Sequence, residues 1–257
     1  MLNAKNINVS YGKTQVVFDV SFDVADNENL CILGPNGCGK TTLLKAVAGL
    51  LPHTGATEVD GVSTTKMKRR EVSRKIAMMS QTQGLYFSYT VFDAVMMGRY
   101  LHIRDGLFGT PTSRDRDFVE QCLTSVGLMD VAKKELSQLS GGQLQRVFFA
   151  RTLAQEPQII LLDEPTNHLD MKYQIELIEY LREWSKSDGH SVIGVLHDIN
   201  LAMRLSEKML ILKEGRTAAF GDAGTEVTVD LLHNVYGVDV VGFMRESLTK
   251  WEGISAK

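Results

Sequence analysis

Apolar and polar residues alternate at the start of the chain. Ile7 and Val9, then Phe18, Val20, Phe22 and Val24, keep a period of two that predicts β structure with one buried face over about residues 1–30. The short apolar run Leu30-Cys31-Ile32-Leu33 reads as a buried parallel strand, and residues 42–50 carry apolar positions at helical spacing, closed by Pro52. A turn at Thr54-Gly55-Ala56, an alternating stretch near Glu58 to Val62 and a core strand from Lys75 to Ser80, leading to Gln81, follow. From about 82 to 156 the period becomes helical. Val91, Phe92, Val95 and Met96 share one face, Phe118, Cys122, Leu123 and Val126 another, and Leu101 to Ser113 form a Gly- and Pro-bearing loop between them. Ile159 to Leu162 restore a wholly apolar strand, which ends in Asp163 and Glu164. A helix with Ile175, Leu177, Ile178, Leu181 and Trp184 on its apolar side comes next, then a buried strand from Ser191 to Leu196 that ends at His197. Residues 209–220 read as a hairpin around Lys213-Glu214-Gly215-Arg216, residues 222–236 as helical, and the remainder as a short β-like stretch.

Gly34, Gln81, Asp163 and His197 all stand at the C-terminal ends of predicted strands, where an open α/β sheet places its ligand crevice. The expected fold class is therefore α/β, with an N-terminal antiparallel β subdomain and an inserted α-helical subdomain. The core would span 1–81 and 157–221, the helical insertion about 82–156 and a C-terminal extension about 222–257. No internal repeat divides the chain.

Chemistry sharpens this outline at one run, Gly34-Pro35-Asn36-Gly37-Cys38-Gly39-Lys40-Thr41, followed by Thr42. Its G-x-x-x-x-G-K-T spacing between a strand and a helix builds a phosphate pocket for ATP or GTP and gives the sheet a P-loop NTPase core. Backbone N–H groups face inward, the Lys40 ammonium reaches the β and γ phosphates, and the Thr41 hydroxyl ligates Mg²⁺. The helix N-terminus adds a favourable dipole. Asp163 fits the second acid motif that holds Mg²⁺ with Thr41, leaving the adjacent Glu164 to act as general base toward water. His197 is placed to hydrogen-bond the γ phosphate and hold that water in line; standing alone it would read as a structural histidine.

Composition excludes other roles. The 257 residues are 44% hydrophobic and 23% charged, enough for a sizeable core, and a net charge of -3 gives no electrostatic pull toward nucleic acid. No apolar run is long enough to span a bilayer, and the polar start from Met1 to Asn6 lacks a secretory signal's apolar core, which together predict a cytosolic protein. The three cysteines lack metal-ligand spacing. Cys31 and Cys122 read as core residues, whereas Cys38, beside Lys40 and a helix N-terminus, is expected to favour the thiolate, so that alkylation there blocks nucleotide binding.

Leu139-Ser140-Gly141-Gly142-Gln143 carries a resemblance to a known family. It matches the signature motif of ATP-binding cassette (ABC) ATPases, and the order Tyr11, phosphate loop, Gln81, signature, Asp163-Glu164, Asp170, His197 is similar to that family along nearly the whole chain. The resemblance implies that Tyr11 stacks on adenine and that Gln81 senses Mg²⁺ and a membrane partner. It implies further that Ser140, Gly141, Gly142 and Gln143 approach the γ phosphate of ATP on the opposite subunit of a head-to-tail homodimer, with Asp170 crossing the same interface. His168, beside it, is taken as an ordinary residue of that loop. The family's work is ATP hydrolysis coupled to a transmembrane permease at the cytoplasmic face of the membrane, and indirectly to a substrate-binding protein outside.

Within the family, Val95 to Tyr100, with Gly98-Arg99, and the run from Asp163 to Asp170 resemble importers of iron chelates, haem and cobalamin, while Tyr86-Phe87-Ser88 departs from that subgroup's proline-bearing pattern. Importers of zinc, manganese or molybdate are close alternatives. A soluble cassette ATPase of translation, repair or iron–sulfur assembly is a second class, but the tandem cassettes or long coiled-coil insertion that mark the translation and repair types are absent from the sequence. A scaffold that binds without hydrolysis is disfavoured by intact Lys40, Asp163, Glu164 and His197. Phe87, Tyr89 and Phe92 suit core packing and permease contact equally.

Overall fold

A computed structural model describes residues 1–79, 89–103, 109–167, 169–187, 189–252 and 254. In chain order the elements are β1 (Leu2–Tyr11), β2 (Thr14–Val24), β3 (Leu30–Leu33), α1 (Lys40–Val47), β4 (Thr54–Val59), β5 (Val62–Ser63), α2 (Arg69–Lys75) and β6 (Ile76–Met79). Then come α3 (Val91–Met96), α4 (Ser113–Ser125), α5 (Gly141–Leu153), β7 (Ile159–Asp163), α6 (Met171–Ser185), β8 (Ser191–Val195), α7 (Ile199–Leu205), β9 (Lys208–Lys213), β10 (Arg216–Asp222), α8 (Ala223–Glu226), α9 (Val229–Tyr236) and α10 (Val240–Glu252).

Two sheets result. Four antiparallel strands lie in the order β2-β1-β4-β5, and six more in the order β10-β9-β3-β8-β7-β6, parallel except for the β9–β10 hairpin. Strands buried on both faces read as near-continuous apolar runs, and every residue of β3, β7 and β8 is buried, with Asp163 at the end of β7 and Ser191 at the start of β8 as the polar positions. One core cluster fills the space between the two sheets around Ile7, Val20, Ile32 and Leu44. The other lies on the opposite face of the large sheet, where Leu33, Ile160 and Leu162 meet Val95, Leu123 and Phe149 of the helical layer. In register, Leu161 sits beside Met78 on one side and Ile193 on the other, so β6, β7 and β8 end near the same level.

Five expectations are corrected. Thr54-Gly55-Ala56 open β4 rather than forming a turn: Ala56 pairs with Lys5, and a bulge between Lys5 and Asn8 takes up the glycine's left-handed φ of 94°. Lys75 ends a helix, since the Glu71 carboxylate accepts the Lys68 N–H and so caps the first turn of α2 ahead of β6. Ile175 is 41% exposed, because Leu177, Ile178 and Leu181 form the stripe that faces the sheet. The segment after Tyr236 is not β-like but helical: β-branched Val240 and Val241 are outweighed by Asp239, whose side chain accepts the Gly242 N–H as an N-cap would. The fifth concerns Cys38 and is described with the site.

Candidate functional site

The carboxyl ends of β3, β7 and β8 meet, and each carries chemistry. After β3 the chain turns through Gly34, whose φ is 145° and whose missing Cβ would lie 2.2 Å from the Leu212 carbonyl of β9, so only glycine fits there. Gly37 and Gly39 also take left-handed backbone, Cys38 N–H donates to the Pro35 carbonyl at 3.3 Å, and α1 starts at Lys40. Lys40 is 5% exposed and donates from Nζ to the carbonyls of Gly34 (2.8 Å) and Pro35 (2.9 Å), so its ammonium lies inside the loop.

Asp163 ends β7, nearly buried, and its Oδ1 accepts a 2.6 Å hydrogen bond from the Thr41 hydroxyl. Burial pushes its carboxyl above the ordinary range, against the lowering effects of Thr41, Lys45 and Lys40, while the neighbouring Glu164 raises it further. Glu164 adopts a φ of 55° and donates its N–H to Val195 of β8 at 3.0 Å, which turns the acid toward the end of that strand. There Oε1 meets His197 Nε2 at 2.6 Å and Oε2 accepts from Asn167 Nδ2 at 2.7 Å. Both side chains are partly exposed. A hydroxyl and a carboxylate in contact, next to a phosphate loop, form a hard-oxygen donor pair suited to Mg²⁺ held also by phosphates. Among the described residues no group of three or more His, Cys, Asp or Glu forms a metal centre of its own.

The other predicted residues are distributed around this centre. Tyr11 ends β1 and is 51% exposed, its ring free to stack. Ser140 is the N-cap of α5: its hydroxyl accepts from Gln143 N–H at 3.2 Å while Gln143 Oε1 accepts from Ser140 N–H at 3.0 Å, so the signature motif builds a capping box beside Gly141 and Gly142. Asp170 caps α6 through Tyr173 N–H at 3.0 Å. Among the described residues, no hydrogen bond or ion pair joins Ser140 to Gln143, or Asp170, to the phosphate loop. Gln81, His168 and Tyr86 to Ser88 lie outside the described residues. Tyr89 is exposed, and Phe92 packs against the core.

Cys38 departs from expectation. It is 6% exposed, and desolvation by burial raises its thiol pKa more strongly than Lys40 and the backbone N–H groups lower it, so the thiol form is favoured. Cys31 and Cys122 are buried core thiols.

Several supporting residues carry no sequence motif of their own. Asn167, three positions after Glu164, steadies the acid, and Gln145 of α5 donates to the Pro165 carbonyl at 3.0 Å, linking the signature helix to the loop behind that acid. Behind the phosphate loop, Gly215 N–H of the β9–β10 turn donates to the Cys38 carbonyl at 3.0 Å. None of these contacts was expected from the sequence, and all but that of Asn167 cross long stretches of chain.

A family model described as ABC transporter matches residues 17–167. The ferric enterobactin transport ATP-binding protein FepC of Escherichia coli is 36% identical over 238 residues, covering 92% of this chain and 87% of that protein. The iron(3+)-hydroxamate import ATP-binding protein FhuC of Bacillus subtilis is 34% identical over 239 residues, covering 93% and 88%. Among solved structures, an ABC transporter described as of metal-chelate type, in an inward-facing conformation, superposes with a TM-score of 0.79 at 31% identity, covering 93% of this chain and 89% of that one. A dimeric ABC cassette in a post-hydrolysis state bound to ADP and Pi gives 0.75 at 30%, covering 86% and 98%.

Proposed function

Because this chain belongs to the ABC transporter family, as an ATP-hydrolysing subunit, we propose that it powers the import of an iron chelate through a membrane permease. The observation that carries the chemical part is the arrangement of Glu164 between His197 and Asn167, beside the Thr41–Asp163 pair. A base must be fixed where its lone pair meets the attacking water, and two hydrogen bonds fix Glu164. Asp163 is engaged by Thr41, which separates the two neighbouring acids into one for the metal and one for the proton.

In this reading Tyr11 stacks on adenine. The loop from Gly34 to Thr42 wraps the phosphates with its backbone N–H groups, and Lys40 swings from its carbonyl partners onto the β and γ phosphates. Thr41 and Asp163, with Gln81, hold Mg²⁺, which when bound offsets the negative charge that builds up on the phosphates. Glu164 takes the proton of the water, and His197 orients both. Ser140, Gly141, Gly142 and Gln143 of the partner subunit close over the γ phosphate, with Asp170 at the same interface, which makes ATP the cement of a head-to-tail homodimer. ATP favours the closed dimer because it makes more contacts there than in the open one.

The iron-chelate assignment rests on the names of FepC and FhuC and on the metal-chelate type transporter. Among the described residues no helix is long and apolar enough to cross a membrane; the chain is proposed to sit at the cytoplasmic face by binding the permease, and to depend indirectly on a substrate-binding protein outside. Glu164→Gln tests the chemistry: it should keep ATP affinity, lower turnover by at least a hundredfold and accumulate an ATP-bound dimer. Wild-type turnover would remove Glu164 as the base. Co-purification with a multispanning permease, and transport of a ferric hydroxamate or catecholate by the reconstituted system, tests the cargo; a system that moves zinc instead would refute it.

A further inference from the structure

Helix α10 has an apolar seam that the fold leaves half uncovered. Val241, Met244, Leu248 and Trp251 follow one another at intervals of three, four and three, the spacing that places side chains along one line of a helix packed against another. The first half of the seam is used: Val240 and Val241 pack against the core, and Asn200 Nδ2, at the start of α7, contacts Met244 Sδ at 3.7 Å. Among the described residues the second half has no such neighbour, with Leu248 59% and Trp251 65% exposed. An apolar stripe with two large side chains in water calls for a partner.

The charges beside the seam indicate which partner. Arg245 and Glu252 flank it seven positions apart, on the same side of the helix. If a second α10 lies antiparallel across the seam, with the two Leu248 side chains near the symmetry axis, Arg245 comes opposite Glu252 of the partner subunit and the reverse pair forms as well. Such a patch is self-complementary, as a two-fold contact between identical subunits must be. The helix carries two positive and two negative side chains, without the excess of Lys and Arg that draws an amphipathic helix to a lipid surface. Its position agrees: α10 meets α7 immediately after His197 and Asp198, next to the face that closes over nucleotide in the proposed dimer.

We propose that α10 pairs with α10 of a second copy of this chain, a contact that holds two subunits together independently of nucleotide. The proposal rests on the ATP-driven dimer only for the placement of the two helices side by side. Closing on ATP then becomes a rearrangement of subunits already joined, at an effective concentration far above that of free chains.

Cysteine at the axis tests this on the full chain, whose native cysteines are buried. Under mild oxidation, Leu248→Cys should form a covalent dimer without nucleotide at least ten times faster than Glu246→Cys, which points to the opposite side of α10. The same result is expected with Lys40→Ala present, where nucleotide binding is impaired. Trp251→Ala should raise the dimer dissociation constant at least tenfold in sedimentation without nucleotide, leaving ATP affinity unchanged. Crosslinking of Leu248→Cys no faster than Glu246→Cys overturns the proposal, as does a Trp251 fluorescence shift on anionic phosphatidylserine vesicles with no self-association. The two readings fail separately. If Glu164→Gln dimerises with ATP while Leu248→Cys does not crosslink, the α10 contact is wrong and the nucleotide reading stands; the converse removes the ATP-driven dimer and keeps the helix contact.

Discussion

Single residues decide what the phosphate loop can do, and Cys38 shows how burial overrides charge. Its neighbours in sequence suggest an activated thiolate, but the side chain lies under the loop, where desolvation outweighs the nearby ammonium. Cys38 should therefore react with iodoacetamide at pH 7.5 at least tenfold more slowly than a free thiol such as glutathione, as read by mass spectrometry over time; reaction at the free rate would place the sulfur at the surface. The Thr41, Asp163 and Glu164 set was legible in the sequence because each stands directly after a strand or loop whose pattern is unmistakable. Asn167, Gln145 and Gly215 were not, since nothing in a linear pattern announces which amide turns toward the site. Cys38 failed for the same reason: depth below the surface is a property of packing.

At the level of elements, the helical layer is locked by one buried cation. Arg99, 4% exposed and following α3, donates from Nε to Asp115 of α4 at 3.0 Å and from Nη1 to the Ala154 carbonyl after α5 at 3.0 Å, and also pairs with Glu156. Gly98 allows this approach, because a Cβ there would lie 2.3 Å from the Arg151 carbonyl. Burial pushes the Asp115 carboxyl up, but Thr112 and Arg99 together hold it down at about 2. An acid whose folded pKa lies below its unfolded value of ~3.9 contributes stability that is complete above that value and lost as pH falls through about 2. Replacing Arg99 with Met strands the buried acid and should destabilise the fold by ~3–5 kcal/mol at pH 7 in urea unfolding. The deficit should narrow from about pH 4 downward; a constant deficit would mean that lost packing, not the ion pair, is responsible. Among elements, strands were the more legible because runs such as Ile159 to Leu162 admit no other reading. Short α2 and α7 escaped notice, and α10 was mistaken, because their capping residues rather than their apolar period set their structure.

Across the whole molecule, binding and folding are one equilibrium. A nucleotide bound only by the folded chain stabilises it by about 2.7 kcal/mol at a free concentration a hundred times its Kd, or roughly 5–10 °C in Tm for a chain of this size. Calorimetry with ATP and Mg²⁺ should show a rise in that range for the wild type and little for Lys40→Ala. An equal rise in both would mean that Lys40 holds its carbonyls without serving the phosphates. The parallel sheet brings the predicted strand ends of β3, β7 and β8 to one level, which is why a linear reading of polar residues after apolar runs located so much of the centre. What it could not locate was the backing of that centre.

That backing arrives late in the life of each molecule. The Cys38 carbonyl is held by Gly215 N–H, and Gly34 presses on Leu212. At a synthesis rate of ~5–20 residues per second, the ribosome needs roughly 10–35 s after completing the loop to supply the hairpin that supports it. Throughout that interval the loop lacks both the Gly215 N–H that holds it and the Leu212 carbonyl against which Gly34 packs, so its final geometry is set only once β9 and β10 are in place.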